Sequence, residues 1–156
     1  MTGKIDARLK ELGIEIPPPG PAAGSYINHV ITGNLAYIAG SVPIEKGERK
    51  YIGKVGRDVS IEDGQKAARL AALNLLGRLK AACGGDLDRV VRVVKLVGFV
   101  NATEDFTEQP KVINGASDLM VEIFGEIGQH ARSAVGVGSL PFGVAAEVEG
   151  IFEIRP

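Results

Sequence analysis

Between residues 60 and 85 apolar side chains recur every three or four positions: Ala67, Leu70, Ala71, Leu75, Leu79 and Ala82. That spacing is the stripe of a helix lying on a core. Ser60, followed by Glu62 and Asp63, supplies an N-cap with acidic first-turn residues, and Gly84-Gly85 closes the segment because glycine takes the left-handed conformation without steric cost. A second stripe, Val112, Ile113, Leu119, Met120, Ile123 and Phe124, predicts a helix over 110–124, with Pro110 in its first turn and Gly125 and Gly128 at its end.

Between the two helices the period changes. Val91, Val93, Val97 and Phe99 alternate with Val90, Val94, Leu96 and Val100, so Val90 to Val100 reads as a strand that is apolar, and therefore covered, on both faces. Tyr26 to Ile31 and Leu35 to Ala39 read as a β-hairpin turned at Thr32-Gly33-Asn34; Ser133 to Val137 and Val144 to Ile154 are two further strands joined through Gly138 to Gly143. Ahead of them, Asp6 to Leu12 is a short amphipathic helical turn, and Pro17, Pro18, Pro19 and Pro21 enforce an extended arm. Glu45 to Arg57 has no sustained period and carries Gly47, Gly53 and Gly56, the composition of a surface loop with room for a short strand. The order β-β-α-β-α-β-β predicts one α+β domain over 24–156 behind an N-terminal extension at 1–23. Two helices cover only one face of such a sheet. The second apolar face of the central strand calls for another copy of the chain, as closed homo-oligomers provide.

A length of 156 residues suits one domain, and 45% hydrophobic with 24% charged residues excludes a disordered chain. Arg69, Arg78, Lys80, Arg92 and Lys95 interrupt the apolar runs, so none reaches the ~20 residues of a membrane span. The N-terminus has no apolar signal core, and the single Cys83 has no disulfide partner, so a cytoplasmic location is expected. Eighteen Lys plus Arg against 19 Asp plus Glu leave a net charge of −1, with no tryptophan and 5% aromatics. Nucleic acid is therefore a disfavoured partner. With no metal-ligand spacing, phosphate loop or dinucleotide fingerprint, neither a metal nor an organic cofactor is expected.

Candidate chemistry gathers near the C-terminus. In the last strand Ala145, Glu147, Glu149, Ile151 and Glu153 share one face, opposite Val144, Ala146, Val148, Phe152 and Ile154. The second set is core. The first places carboxylates on the face assigned to the subunit interface, where an unpaired buried charge is costly. Arg132 heads the preceding strand, and a guanidinium grips a carboxylate with two parallel hydrogen bonds. Arginine and glutamates are expected to converge across the hairpin, to bind a ligand or to form a structural salt bridge. His130 joins Arg132's side if the strand extends back to it, His29 reads as a sheet-surface residue, and Cys83 as a small core residue.

The runs Arg132-Ser133-Ala134-Val135, Leu140-Pro141 and Glu147-Val148-Glu149 resemble the C-terminal signature of the RidA-like (YjgF) family. Gly24-Ser25-Tyr26 is similar to its Gly-Pro-Tyr segment, and Ile38-Ala39-Gly40-Ser41-Val42-Pro43 to its second-strand ending. The resemblance runs from about Gly24 to Ile154. It implies a chorismate-mutase-like fold, a homotrimeric barrel, and ligand clefts between subunits. For the deaminating members it implies hydrolysis of small 2-imino or 2-enamino acids to 2-keto acids and ammonia. In those terms Arg132 holds the substrate carboxylate, Glu147 positions or activates water, Tyr26 lines the cleft, and Gly40 offers a backbone contact. Asn114 matches the family's helix asparagine. Ala134 stands where deaminating members carry cysteine, which removes any thiol and leaves a backbone N–H. Some relatives are labelled L-PSP-type endoribonucleases and translation inhibitors. The alternatives are thus a ribonuclease, or a binder of small carboxylates without turnover.

Overall fold

A computed structural model describes residues 3–156. In chain order the elements are α1 (Lys4–Leu12), β1 (His29–Thr32), β2 (Leu35–Ser41), β3 (Ile44–Glu45), β4 (Glu48–Arg49), α2 (Ile61–Ala82), β5 (Val90–Asn101), α3 (Gln109–Phe124), β6 (Ala131–Val137) and β7 (Ala146–Ile154). The main sheet has the order β1-β2-β7-β5-β6, antiparallel except for the parallel β5–β6 pair, while β3 and β4 form a separate two-stranded ribbon. Helices α2 and α3 lie on one face, where Leu75, Leu76, Leu79, Leu96, Ile113 and Phe152 are fully buried.

Local chemistry sets the helix ends as expected. Ser60 Oγ accepts the Asp63 amide at 3.1 Å, and Gly84 takes a φ of 66° just beyond α2. Gly115 lets α3 cross α2 closely, since a Cβ there would collide with the Gln65 carbonyl. The N-terminal segment packs into the same core. Ile5 and Leu9 of α1 are buried, and Asp88, in a 3-10 turn before β5, accepts the Lys4 and Ile5 amides at 2.8 Å each. The proline arm then crosses α2 at Gly77, where any side chain would strike the Pro17 carbonyl.

Three local expectations are corrected. The first strand begins at His29 instead of Tyr26. In the segment 45–57, read as a loop with room for a short strand, β4 pairs with β3 at its start to form the ribbon. Val93 points to the helices, with Val90, Leu96 and Val100, because β5 shifts register between Val90 and Arg92 and again between Val93 and Lys95. Each bulge inserts a residue and reverses the alternation beyond it. Finally, β6 and β7 do not form a hairpin: β5 lies between them.

The face opposite the helices is bare. Rows of paired residues cross it: Tyr37, Ile151, Lys95 and Ala131; Glu149, Val97 and Ser133; Glu147, Phe99 and Val135. Val30, Tyr37 and Val135 are exposed there, and β6 is an edge strand with no buried residue. No helix among the described residues is long and apolar enough to cross a membrane.

Candidate functional site

The residues singled out by the sequence fall into two groups on opposite faces of the sheet. Arg132 pairs with Leu96 and Ala134 with Gly98 along β5–β6, so both side chains point to the helices. The Arg132 guanidinium lies beside the first turns of α3. Its Nη1 donates to Asn114 Oδ1 at 2.7 Å and to Ser117 Oγ at 3.1 Å, and its Nη2 reaches the Pro110 carbonyl at 3.4 Å. Five N–H donors radiate from a guanidinium. Among the described residues these three bonds leave Nε–H and one Nη2–H without a partner, the side-on edge that a carboxylate grips.

His130 belongs to this group. Its Nε2 is 2.9 Å from Ser117 Oγ and its Nδ1 is 2.7 Å from the Gly128 carbonyl. Burial pushes its pKa below the ordinary histidine range and the neighbouring Arg132 adds to that, while the Gly128 carbonyl pulls the other way. Ser117 was not foreseen. The available signal was a hydroxyl in mid-helix, one turn after Asn114, where serine finds little to do unless it bonds sideways.

The second group is on the bare face. Glu147 pairs with Phe99 and points away from the helices, half-buried, with Glu149 two residues along the same strand face. Burial raises its carboxyl pKa and Glu149 raises it further, against the charge of Arg78. Gly40 makes room for it: a Cβ there would lie 3.2 Å from Glu147 Cδ and 3.3 Å from Oε2. The register of β2 against β7 slips between Ile38 and Ser41, and Arg78 Nη1 reaches into that irregularity, donating to the Ala39 carbonyl at 3.3 Å and the Gly40 carbonyl at 2.9 Å. Arg78 was also missed, although a charge between Leu75 and Leu79 on an apolar stripe marks a side chain with an assignment. Tyr26, 47% exposed, accepts the Ala23 amide on its hydroxyl at 3.2 Å. It borders a shallow cleft of about 460 Å³ with His29, Tyr37, Ala39 and Glu149.

Arg132 and Glu147 therefore do not converge within one chain. A larger groove of about 1040 Å³, between α1, the proline arm and α2, contains none of these residues. Cys83 is buried, its thiol pKa raised by that burial, as suits a core residue. Among the described residues no group of three or more His, Cys, Asp or Glu side chains is placed to hold a metal ion.

A mixed sheet with helices on one face, a bare opposite face, and an arginine at the exposed edge strand define a small α+β protein of the chorismate-mutase-like class. The chain belongs to the family described as YjgF/chorismate-mutase-like candidate endoribonucleases, whose model matches residues 6–149. Protein TCP17 of Trypanosoma cruzi is 44% identical over 155 residues, covering 99% of this chain and 96% of its own. The crystal structure of Atu1372 from Agrobacterium tumefaciens, a protein of unknown function, superposes with a TM-score of 0.90 at 47% identity, over 97% of this chain and 92% of that one. A candidate endoribonuclease from Shewanella oneidensis MR-1 gives 0.93 at 35% identity, over 97% and 100%. Escherichia coli TdcF, solved with serine bound, shares the fold alone: TM-score 0.59, 23% identity, over 89% and 94%.

Proposed function

We propose that this protein hydrolyses small 2-imino or 2-enamino acids to 2-keto acids and ammonia, in clefts between the subunits of a homotrimer. The observation that carries the reading is the Arg132 guanidinium, pinned on Nη1 by Asn114 and Ser117 with a two-donor edge left for a carboxylate. The serine bound by TdcF is a small molecule with such a carboxylate. The separation of the two residue groups supports an oligomer: Arg132, Asn114 and Ala134 of one subunit complete a site with Tyr26, Gly40 and Glu147 of its neighbour. A trimer also covers the apolar rows of the bare face and the open β6 edge, whose unpaired backbone is otherwise a template for aggregation.

In such a cleft Arg132 fixes the substrate carboxylate and so the position of the imine carbon. Glu147, its pKa raised by burial and by Glu149, is suited to exchange a proton with water and substrate. It takes a proton from water as the oxygen adds to the C=N carbon, then returns it to the nitrogen. Glu147 next takes the proton of the new hydroxyl and passes it to the same nitrogen, so that the C–N bond breaks, the carbonyl forms and the nitrogen leaves as ammonia. No thiol takes part, since position 134 is alanine. The ribonuclease alternative is less favoured by charge: on the bare face Glu147, Glu149 and Glu153 outnumber Arg92 and Lys95, which leaves no excess of positive charge for a phosphate backbone.

The test is ammonia and 2-keto acid release from freshly generated 2-iminopropanoate and bulkier imino acids, comparing wild type with Arg132→Ala and Glu147→Gln. Wild-type acceleration lost in both variants is the expected result. Acceleration of no imine, with a carboxylate still bound, moves the protein to the class of binders without turnover.

A further inference from the structure

We propose that Ser117 and His130 are positioning residues for Arg132, a one-way hydrogen-bond chain that holds the guanidinium ready for a ligand carboxylate. The inference rests on the reading that Arg132 is the carboxylate anchor.

The direction of each bond follows from what the atoms can do. The Gly128 carbonyl only accepts, so His130 Nδ1 at 2.7 Å carries the hydrogen. A neutral ring then has a bare Nε2, and Ser117 Oγ at 2.9 Å gives that nitrogen its single proton. With the proton committed, the serine oxygen turns its lone pairs to Arg132 Nη1, 3.1 Å away. Asn114 Oδ1, at 2.7 Å from the same nitrogen, accepts its other hydrogen. Each link has one available polarity, so the tautomer of a half-buried histidine decides how an arginine on an exposed edge strand is held. An arginine side chain without such a clamp samples many rotamers, and a ligand must then order it on binding.

A second proton on the ring removes the acceptor that fixes the serine hydrogen. Nε2–H would then donate to Ser117 Oγ and compete with Arg132 Nη1 for its lone pairs, the hydroxyl hydrogen would be freed to turn elsewhere, and two cations would be adjacent. The charged groups around the ring oppose that proton or are engaged elsewhere. Arg132 on β6 faces it, Arg92 on β5 donates to the neighbouring Gln129 carbonyl at 3.1 Å, and on α3 Glu122 is paired with Arg69 at 3.2 Å, leaving Asp118 exposed next to Ser117. The anchor is thus held at neutral pH and loosened in acid.

The experiment is calorimetric titration of the full chain with pyruvate between about pH 5 and 8, with thermal unfolding of every variant. Ser117→Ala and His130→Ala are expected to bind about tenfold more weakly at neutral pH, the effect of one lost hydrogen bond to a charged group, with native unfolding behaviour. In His130→Gln the amide oxygen accepts the serine proton without titrating. That variant is expected to keep wild-type affinity at neutral pH and to lose the acid weakening shown by wild type. Wild-type affinity in folded Ser117→Ala, together with loss of binding in Arg132→Ala, overturns the positioning role and leaves the anchor reading intact. A wild type that binds no pyruvate, or an Arg132→Ala variant that binds it normally, overturns the anchor reading and this inference with it.

Discussion

At Glu147 the protein keeps a carboxyl group half out of water with a second glutamate beside it, and that has a thermodynamic sign. Its pKa is raised in the folded state, so the unfolded chain gives up this proton more readily. The contribution to stability is complete in acid and is lost as pH rises through the raised value. Glu147→Gln, which never ionises, is therefore expected to be more stable than wild type at neutral pH and equal to it near about pH 4, as read from urea midpoints at the two pH values. The shared face of Glu147 and Glu149 was legible because strict alternation in β7 separates it from Val148 and Phe152. The partners of Arg132 were only half legible. Asn114 stood out by resemblance, but Ser117 acts through a bond from mid-helix to a strand edge, and no local pattern records such a bond.

Among the elements, α1 owes its place to one distant carboxylate. Asp88 substitutes for the missing N-cap side chain at Gly3, and its pKa is lowered by the Ile5 and Lys4 amides it accepts. Asp88→Ala is expected to cost about 1 kcal/mol in chemical denaturation at neutral pH. The wild-type advantage should fade below about pH 4, since a depressed carboxylate stabilises above its unfolded pKa and loses that effect in acid. Gly115→Ala drives a methyl into the Gln65 backbone where α2 and α3 cross, and is expected to cost about 1–3 kcal/mol by the same measurement. Both helices were readable from caps and stripes because their signals are local. Val93 was not: among so many valines nothing marks where a strand bulges, and only the pairing partner β7 fixes it. The insertion of β5 between β6 and β7 was hidden for a related reason, since a short linker between strands reads as a hairpin whether or not they pair.

For the molecule as a whole, the bare sheet face is the feature that most constrains its behaviour in solution. Two-sided burial of β5 was predicted from Val97 and Phe99, and these remain only half-buried in a single chain. Sedimentation is expected to give a species of three chains, and Val135→Lys, which puts a charge at an apolar position of that face, is expected to yield monomers that bind no pyruvate. Three-chain particles that persist in this variant would place the interface elsewhere.

The Asp88 cap also imposes an order on biosynthesis. Helix α1 emerges from the ribosome before the rest of the fold it packs on, and the carboxylate that fastens it is made 84 residues after Lys4. Nine residues are too few for a helix to persist in water by itself. A segment made ahead of the sheet and the long helices is thus among the last to be secured, and until residue 88 has emerged Ile5 and Leu9 have no finished surface to cover.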